Sequence, residues 1–444
     1  MRGALVAIAL GATSVAQGAE PRRVDLRELF ATTTRTYPEV AVAAADVEAA
    51  GATRSLTHAT RRWPTLTGVG AFGVVPAARG DIFYSPDNPR DLDDFGPFWR
   101  ARLEFAYPLF TWGALAETER AAISQVGARE ARVRGRRDAG LLLAARAYFG
   151  WQLATRSLGV VADIRGHLEE HLQRLESPPE GTETEPMDLF RTRHARFELD
   201  RLEAAARRRA SDSEAGMREL VGEDALPAKD ELVPLSADPR DLEQAVAEAL
   251  SANAEVREAE LLAEARGHLA EAIRRERFPA LTIEGRFDYG HATNRDEQHN
   301  PFVYDSFNVR SVTAAFGLRW DLSFRQRGAK VARERAEAES ARARVRALQA
   351  RVRVELAGLR ARLSEAKDVH DTSRRALSTT ANWLRVAEEN VGLGTASTKD
   401  LIDAYTAYMQ ARAAHFEAVH DLDLAVVAWR LALGRDPLAE GEAP

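Results

Sequence analysis

Arg62-Trp63-Pro64-Thr65-Leu66 returns as Arg277-Phe278-Pro279-Ala280-Leu281. The recurrence continues outward from there. The run Phe105-Ala106-Tyr107-Pro108-Leu109-Phe110 has its counterpart in Gly317-Leu318-Arg319-Trp320-Asp321-Leu322-Ser323. Pro186-Met187-Asp188-Leu189 returns as Thr398-Lys399-Asp400-Leu401, and Leu220-Val221-Gly222 as Ala432-Leu433-Gly434. The period is about 210–216 residues, far longer than a solenoid unit. Each copy joins long helices to two alternating strands, a combination that points to a membrane-spanning sheet set on a long helical tube.

The two proline motifs fix where helix gives way to strand. The Ala-rich, helix-favouring stretches from Asp25 to about Arg61 and from Asp241 to about Glu276 each run into one of them. Proline cannot continue a helix, so an extended segment is expected to begin there. The segments that follow alternate with period two. Ala101, Leu103, Phe105, Tyr107 and Leu109 oppose Arg100, Arg102, Glu104 and Ala106. Leu281, Ile283, Phe287 and Tyr289 oppose Thr282, Glu284, Arg286 and Asp288, and Phe316, Leu318, Trp320 and Leu322 oppose Gly317, Arg319 and Asp321. The first segment, Thr65 to Val75, is the weakest, with Leu66, Phe72 and Val74 on its apolar side.

Two structures share this pattern: a lipid-facing barrel with a wet interior, and a soluble antiparallel sheet with one wet face. Trp99, Tyr107, Trp112, Trp320 and Phe324 near the strand ends fit an aromatic girdle. Long polar loops, about Pro76 to Pro97 and about Gly290 to Ser306, join the strands in pairs. Four strands cannot close, and open edges in lipid cost several kcal/mol per unpaired group, roughly. A spanning sheet here would therefore be shared between two or more copies in a closed ring.

After Gly113 and after Gly328, proline-free helical tracts reach about Ser177 and about Val391. About 65 residues at about 1.5 Å each predict rods of roughly 100 Å. Their seams are Leu158, Val161, Ile164, Leu168, Leu172 and Leu175, and Leu348, Val352, Leu356, Leu359 and Leu363. Short breaks follow at Pro178-Pro179-Glu180-Gly181 and Gly392-Leu393-Gly394-Thr395, with return helices from about Pro186 and about Ser397. Pro227, Pro234 and Pro239 mark a linker between the copies.

Composition narrows the class. A net charge of -6 offers no case for nucleic acid. A mean hydropathy of -0.34, with no long apolar run past the N-terminus, argues against spanning helices. There are no cysteines, which excludes disulfides, thiolate metal sites and lipid attachment to an N-terminal Cys. Met1-Arg2-Gly3, an apolar stretch from Ala4 to about Leu10 and small residues to Ala19 read as a secretory signal, cleaved after Gly18 or Ala16.

The ordered set resembles the outer-membrane efflux protein family, the TolC-like channels, over about Asp25 to Gly434. Tyr107-Pro108-Leu109-Phe110-Thr111-Trp112-Gly113 is similar to the family's strand-to-helix signature. Val391-Gly392-Leu393-Gly394-Thr395-Ala396-Ser397-Thr398-Lys399-Asp400-Leu401-Ile402-Asp403-Ala404 is similar to its helix-turn tip. The resemblance implies an α+β membrane protein. A long α-helical coiled-coil barrel would join a transmembrane β-barrel shared by a homotrimer, four strands per chain, with two internal structural repeats. It implies a passive exit duct in the outer membrane of a Gram-negative bacterium, extending into the periplasm. The partners implied are a periplasmic adaptor and an inner-membrane efflux pump or ABC transporter, in efflux or type I secretion.

The expected organisation is a signal peptide at 1–18, a first repeat at 25–222, a linker at 223–240, a second repeat at 241–434 and a tail at 435–444. No cofactor and no enzyme activity are expected, for there is no P-loop or dinucleotide signature in a strand-helix context. Asp400 and Asp403, with Asp188 in the first copy, match the acids that line the family's tunnel entrance, and Gly392, Gly394 and Thr395 match its tip turn. Ala396 and Val391 stand where some members have basic and aromatic residues that fasten the entrance, and Asp321 stands where the first copy has Pro108. Read from the residues alone, Asp400 and Asp403 share a helix face, and acids there also serve the helix dipole, with Ser397 and Asp400 as a capping pair. His167 and His171, four apart, lie on a charged rod without an evident third metal ligand. A coiled-coil structural or adaptor protein of the periplasm, with a soluble sheet, is the competing class.

Overall fold

The computed structural model describes residues 22–80, 91–177, 186–221, 225–228, 233–236, 241–297, 305–393 and 395–438. The expected signal segment, the Pro178–Gly181 break, Gly222, Pro239, Gly394 and the last six residues lie outside them. The first run of elements is β1 (Arg22–Val24), α1 (Leu26–Thr36), α2 (Pro38–Arg62), β2 (Thr65–Ala77), β3 (Asp91–Phe110), α3 (Ala114–Glu176) and α4 (Pro186–Val221). The second is β4 (Ala225–Pro227), α5 (Leu242–Ala252), α6 (Ala254–Arg275), β5 (Ala280–Ala292), β6 (Val309–Arg319), α7 (Phe324–Gly392) and α8 (Thr398–Ala432). The order helix, helix, strand, strand, helix, helix thus occurs twice.

Several boundaries differ from the sequence expectation. Each Ala-rich stretch is two helices. Pro38 starts α2 because its missing N–H costs nothing in a first turn, while Tyr37 closes α1 by donating to the Thr33 carbonyl at 3.0 Å. Asn253 makes the equivalent break, donating to the Ala249 carbonyl at 2.7 Å. β3 begins at Asp91, so Gly96 and Pro97 are strand rather than loop. β6 ends at Arg319, which leaves Trp320 and Leu322 beyond the sheet, and α7 starts at Phe324 instead of after Gly328.

The chain divides into two compact units. One, residues 42–134 and 254–351, contains an antiparallel sheet in the order β2-β3-β5-β6. The register aligns Leu103 with Phe287 and Phe287 with Val312, and Tyr107 with Ile283 and Ile283 with Phe316. Alternation then sorts the strands into two faces. The apolar face is bare: Phe72 is 80% exposed, Val312 79% and Phe316 76%. The other face has charges in cross-strand pairs. Asp288 accepts from Arg102 at 2.7 Å and Arg100 at 3.0 Å, Arg286 reaches Glu104 at 3.1 Å, and Arg319 reaches Glu284 at 3.3 Å. A register shift follows Pro108, which has no N–H to give the ladder.

At the helix end of this sheet, Trp112 (φ 56°) and Gly113 (φ 82°) turn strand into helix through the left-handed region. A side chain at Gly113 would collide with the Arg275 guanidinium. Arg275 is held by Glu117, buried in the first turn of α3, at 3.2 Å, and His268 meets the same carboxylate at 2.7 Å. The indole N–H of Trp112 donates to the Pro279 carbonyl at 2.9 Å, and that of Trp320 to Arg277 at 3.1 Å. Each strand-to-helix turn is thereby fastened to the second copy's proline motif.

The other unit comprises Met1–Ala41, Gly135–Asn253 and Val352–Pro444. Its centre is a cluster of Leu29, Phe30, Ala144, Tyr148, Met217, Leu220 and Val427. The linker is partly structured: β4 pairs in parallel with β1, Arg22 opposite Ala225. Leu235 packs on the core cluster and donates its N–H to Asp423 at 2.7 Å, and Arg430 donates to the Ser236 carbonyl at 3.0 Å. Asp423 is fully buried, its second oxygen has no partner, and burial raises its pKa to about 7. The folded chain holds a proton there that the unfolded chain releases near pH 4, approximately. Stability is therefore full below that pH and falls as pH rises towards 7, by up to a few kcal/mol, roughly. Thermal unfolding of wild type and Asp423→Asn in detergent is expected to coincide under acidic conditions and to separate above neutrality, with the variant more stable.

Candidate functional site

The candidate entrance acids lie in the hairpin unit. α7 ends where the Asn390 carbonyl collects three donors: the Thr395 N–H at 2.9 Å, the Thr395 hydroxyl at 3.0 Å and the Ala396 N–H at 3.3 Å. A carbonyl left without a helical partner is satisfied in this way, and the chain can turn. Of the predicted turn residues, Thr395 is therefore structural, Gly392 is the last residue of α7, and Gly394 lies outside the described residues.

Ser397 then starts α8 with a complete capping box. Its hydroxyl accepts the Asp400 N–H at 3.3 Å and donates to the Asp400 carboxylate at 2.7 Å, and the Ser397 N–H reaches that carboxylate at 3.1 Å. The Ser397 hydroxyl, then its N–H, hold the Asp400 carboxyl below the usual range. Capping by Asp400 is accordingly present above pH 4, approximately, and lost as pH falls through that lowered value. Asp403, one turn on, is exposed and makes no hydrogen bond or ion pair among the described residues. Leu401 and Ala404, on the opposite side of that turn, pack with Ala387.

Residues 245–435 match the family model described as outer membrane efflux protein. Over those residues the chain is thus similar in sequence to outer membrane efflux proteins. No curated protein matches the chain in sequence. Its fold is similar to that of solved outer-membrane channels over nearly the whole length. OprN has 17% identity, with 93% of this chain and 90% of that one covered and a TM-score of 0.74. CmeC of Campylobacter jejuni has 12% identity, 98% and 93% coverage and a TM-score of 0.75. The open state of MtrE of Neisseria gonorrhoeae has 16% identity, 94% and 93% coverage and a TM-score of 0.70. At such identities the likeness is one of fold, and it extends through the first half, which the family model does not reach.

Within the matched residues α8 has ties that sequence reasoning missed. Tyr405 donates its hydroxyl to Glu388 of α7 at 2.6 Å and stacks on His167 of α3, ring centres 5.7 Å apart. Burial, then the bond to Glu388, push its phenol pKa up. Arg412 pairs with Asp163 of α3 at 2.8 Å. Tyr405 falls just past the quoted tip segment, and its pairing with a residue 17 positions earlier has no local signal. His167 and His171 were candidate ligands. The first is a stacking partner, and burial lowers the pKa of the second. Among the described residues no group of three His, Cys, Asp or Glu is placed to hold a metal.

Asp188 occupies the first turn of α4 behind Pro186, as its sequence predicts. Its carboxylate is mostly covered and pairs with Arg191 at 3.2 Å. No described bond joins it to Asp400 or Asp403. Among the described residues two of the three predicted acids thus have structural partners and one has none. Ser397→Ala is expected to speed amide exchange over residues 398–401 while leaving 186–190 unchanged. Tyr405→Phe is expected to destabilise the α7–α8 hairpin by about 1 kcal/mol, read from exchange across residues 384–391.

Proposed function

We propose that the chain is the outer-membrane exit duct of a tripartite efflux or type I secretion system. It acts as a homotrimer whose four-stranded sheets join into one twelve-stranded barrel, with the two repeats of each chain contributing two strands apiece. It conducts passively: an inner-membrane pump or ABC transporter supplies the energy, and a periplasmic adaptor engages the hairpin ends. No cofactor and no nucleic acid take part.

The observation that carries this is the sheet itself. One face is apolar and bare, the other is charged, and among the described residues each edge strand is unpaired on its outer side. A face of that kind suits lipid, and edges of that kind need further strands. The competing class, a periplasmic coiled-coil structural or adaptor protein, asks a sheet to hold Phe72, Val312 and Phe316 in water, where a contiguous apolar patch of this size is disfavoured. Fractionation separates the two. The duct is expected in the outer-membrane pellet, released by detergent as a trimer and not by salt. Recovery of a water-soluble monomer would leave only the competitor.

Three copies of Asp403 around one axis would attract cations, with Asp400 adding to the field. In planar bilayers the channel is expected to prefer cations. Asp403→Asn, which touches no structural partner, is expected to weaken that preference, and Asp400→Ala plus Asp403→Ala to weaken it further. A reversal potential unmoved by either would refute the assignment of these acids to selectivity.

A further inference from the structure

The chain leaving β5 does not extend outward from the sheet. It crosses the ends of β3 and β2. Thr293 donates its N–H to the Pro97 carbonyl at 3.2 Å, Asp296 to Ala78 at 2.9 Å, and the Arg295 guanidinium to the Pro76 carbonyl at 2.8 Å. The register decides which face it covers. Gly96 and Gly290 fall on the same face as the charged residues of their strands. A side chain at Gly96 would run into Asn294, and one at Gly290 would meet the Phe307 carbonyl at 2.9 Å. Phe98, on the same face, meets Phe307 edge-on at 5.2 Å. On the apolar face at this level Phe72 and Val74 stay open, 80% and 68% exposed.

The crossing is fastened from both arms of the loop. Arg295 pairs with Asp305 at 2.9 Å, their side chains 12% and 2% exposed. Asp305 also accepts the Phe307 N–H at 3.0 Å, and the guanidinium lies 5.2 Å from the Phe307 ring centre. Asn308 accepts the Ala292 N–H at 2.7 Å and donates to the Arg295 carbonyl at 2.9 Å. Each member of this buried ion pair also bonds the backbone, and breaking the pair strands a charge. That is far more order than a connection between strands needs.

We propose that Arg295, Asp305 and Phe307 fasten an inward-folded strap that narrows the duct at its loop end and sets the size of solute that passes. The inference rests on the reading that the charged face lines the duct. Engineered thiols report on it directly, since the chain has no cysteine of its own. Thr313→Cys places a thiol on the charged face, inward of the strap, and Val312→Cys places one on the apolar face.

In intact cells, a small charged methanethiosulfonate is expected to modify Thr313→Cys and to spare Val312→Cys. A bulky polyethylene-glycol maleimide is expected to react poorly with Thr313→Cys while the strap is intact. With Phe307→Ala, or with Arg295→Ala plus Phe307→Ala, it is expected to react at least about tenfold faster as the mouth widens. The small reagent should react at the same rate in every background, which verifies the fold. Where the double variant changes that rate, Phe307→Ala alone decides. Bulky-reagent rates that are the same with and without the strap residues overturn the inference. Equal labelling of both thiols by the small reagent overturns the assignment of the faces, and the duct reading with it.

Discussion

Backbone hydrogen bonding at the two sheet edges constrains this molecule more than any single side chain. Among the described residues β2 and β6, 13 and 11 residues long, each pair on one side only. In water an open edge is tolerable, but the apolar face beside it is not. In lipid the apolar face is at home, but each unpaired N–H or C=O costs several kcal/mol, roughly. No environment satisfies one isolated copy of the sheet. Lipid on one face together with strands at both edges would satisfy it fully, and the proposed closed ring of copies would supply both.

The remaining features of the sheet unit follow from that demand. Strand ends must be held in register if copies are to meet edge to edge. Trp112 and Trp320, each hydrogen-bonded to a carbonyl of the second proline motif, fix the helix end, and the Glu117–Arg275–His268 cluster sets where α3 begins. The charged face needs the opposite treatment. Its acids and bases stand opposite one another across strands, so a narrow interior would be wet and nearly neutral along its length instead of strongly charged. Selectivity in such a duct belongs at its ends, where unpaired charge or bulk remains.

Much of this was legible in the sequence because it is periodic. Alternation in Arg100 to Leu109 and in Leu281 to Tyr289 placed both faces, and Pro64 and Pro279 placed the helix-to-strand changes. What escaped has no period. The parallel pairing of β1 with β4 joins three-residue strands about two hundred positions apart. The Arg295 bond to Pro76 spans 219 positions, and its loop reads only as polar. Breaks at Tyr37 and Asn253 leave the Ala-rich composition unchanged and rest on cap geometry. The extension of β3 back to Asp91 passes through Gly96-Pro97, which by propensity alone belongs in a turn. It is strand because β2 pairs with it and because Gly96 makes room for Asn294.

The acids at the start of α8 illustrate how a structural need and a functional role can share a position. A helix that begins at a hairpin end needs negative charge in its first turn, whatever lies beyond. Asp400 meets that need through the capping box, so its presence would be expected with no channel at all. Asp188 is similarly accounted for by Arg191. Asp403 is different: among the described residues no cap, ion pair or hydrogen bond explains an acid there, and the packed side of the same turn belongs to Leu401 and Ala404. A charge with no structural employment, one turn from the end of a hairpin, is where a selective entrance would place its field. On these grounds Asp403 is the better test of the proposed selectivity, and Asp400 reports first on the fold.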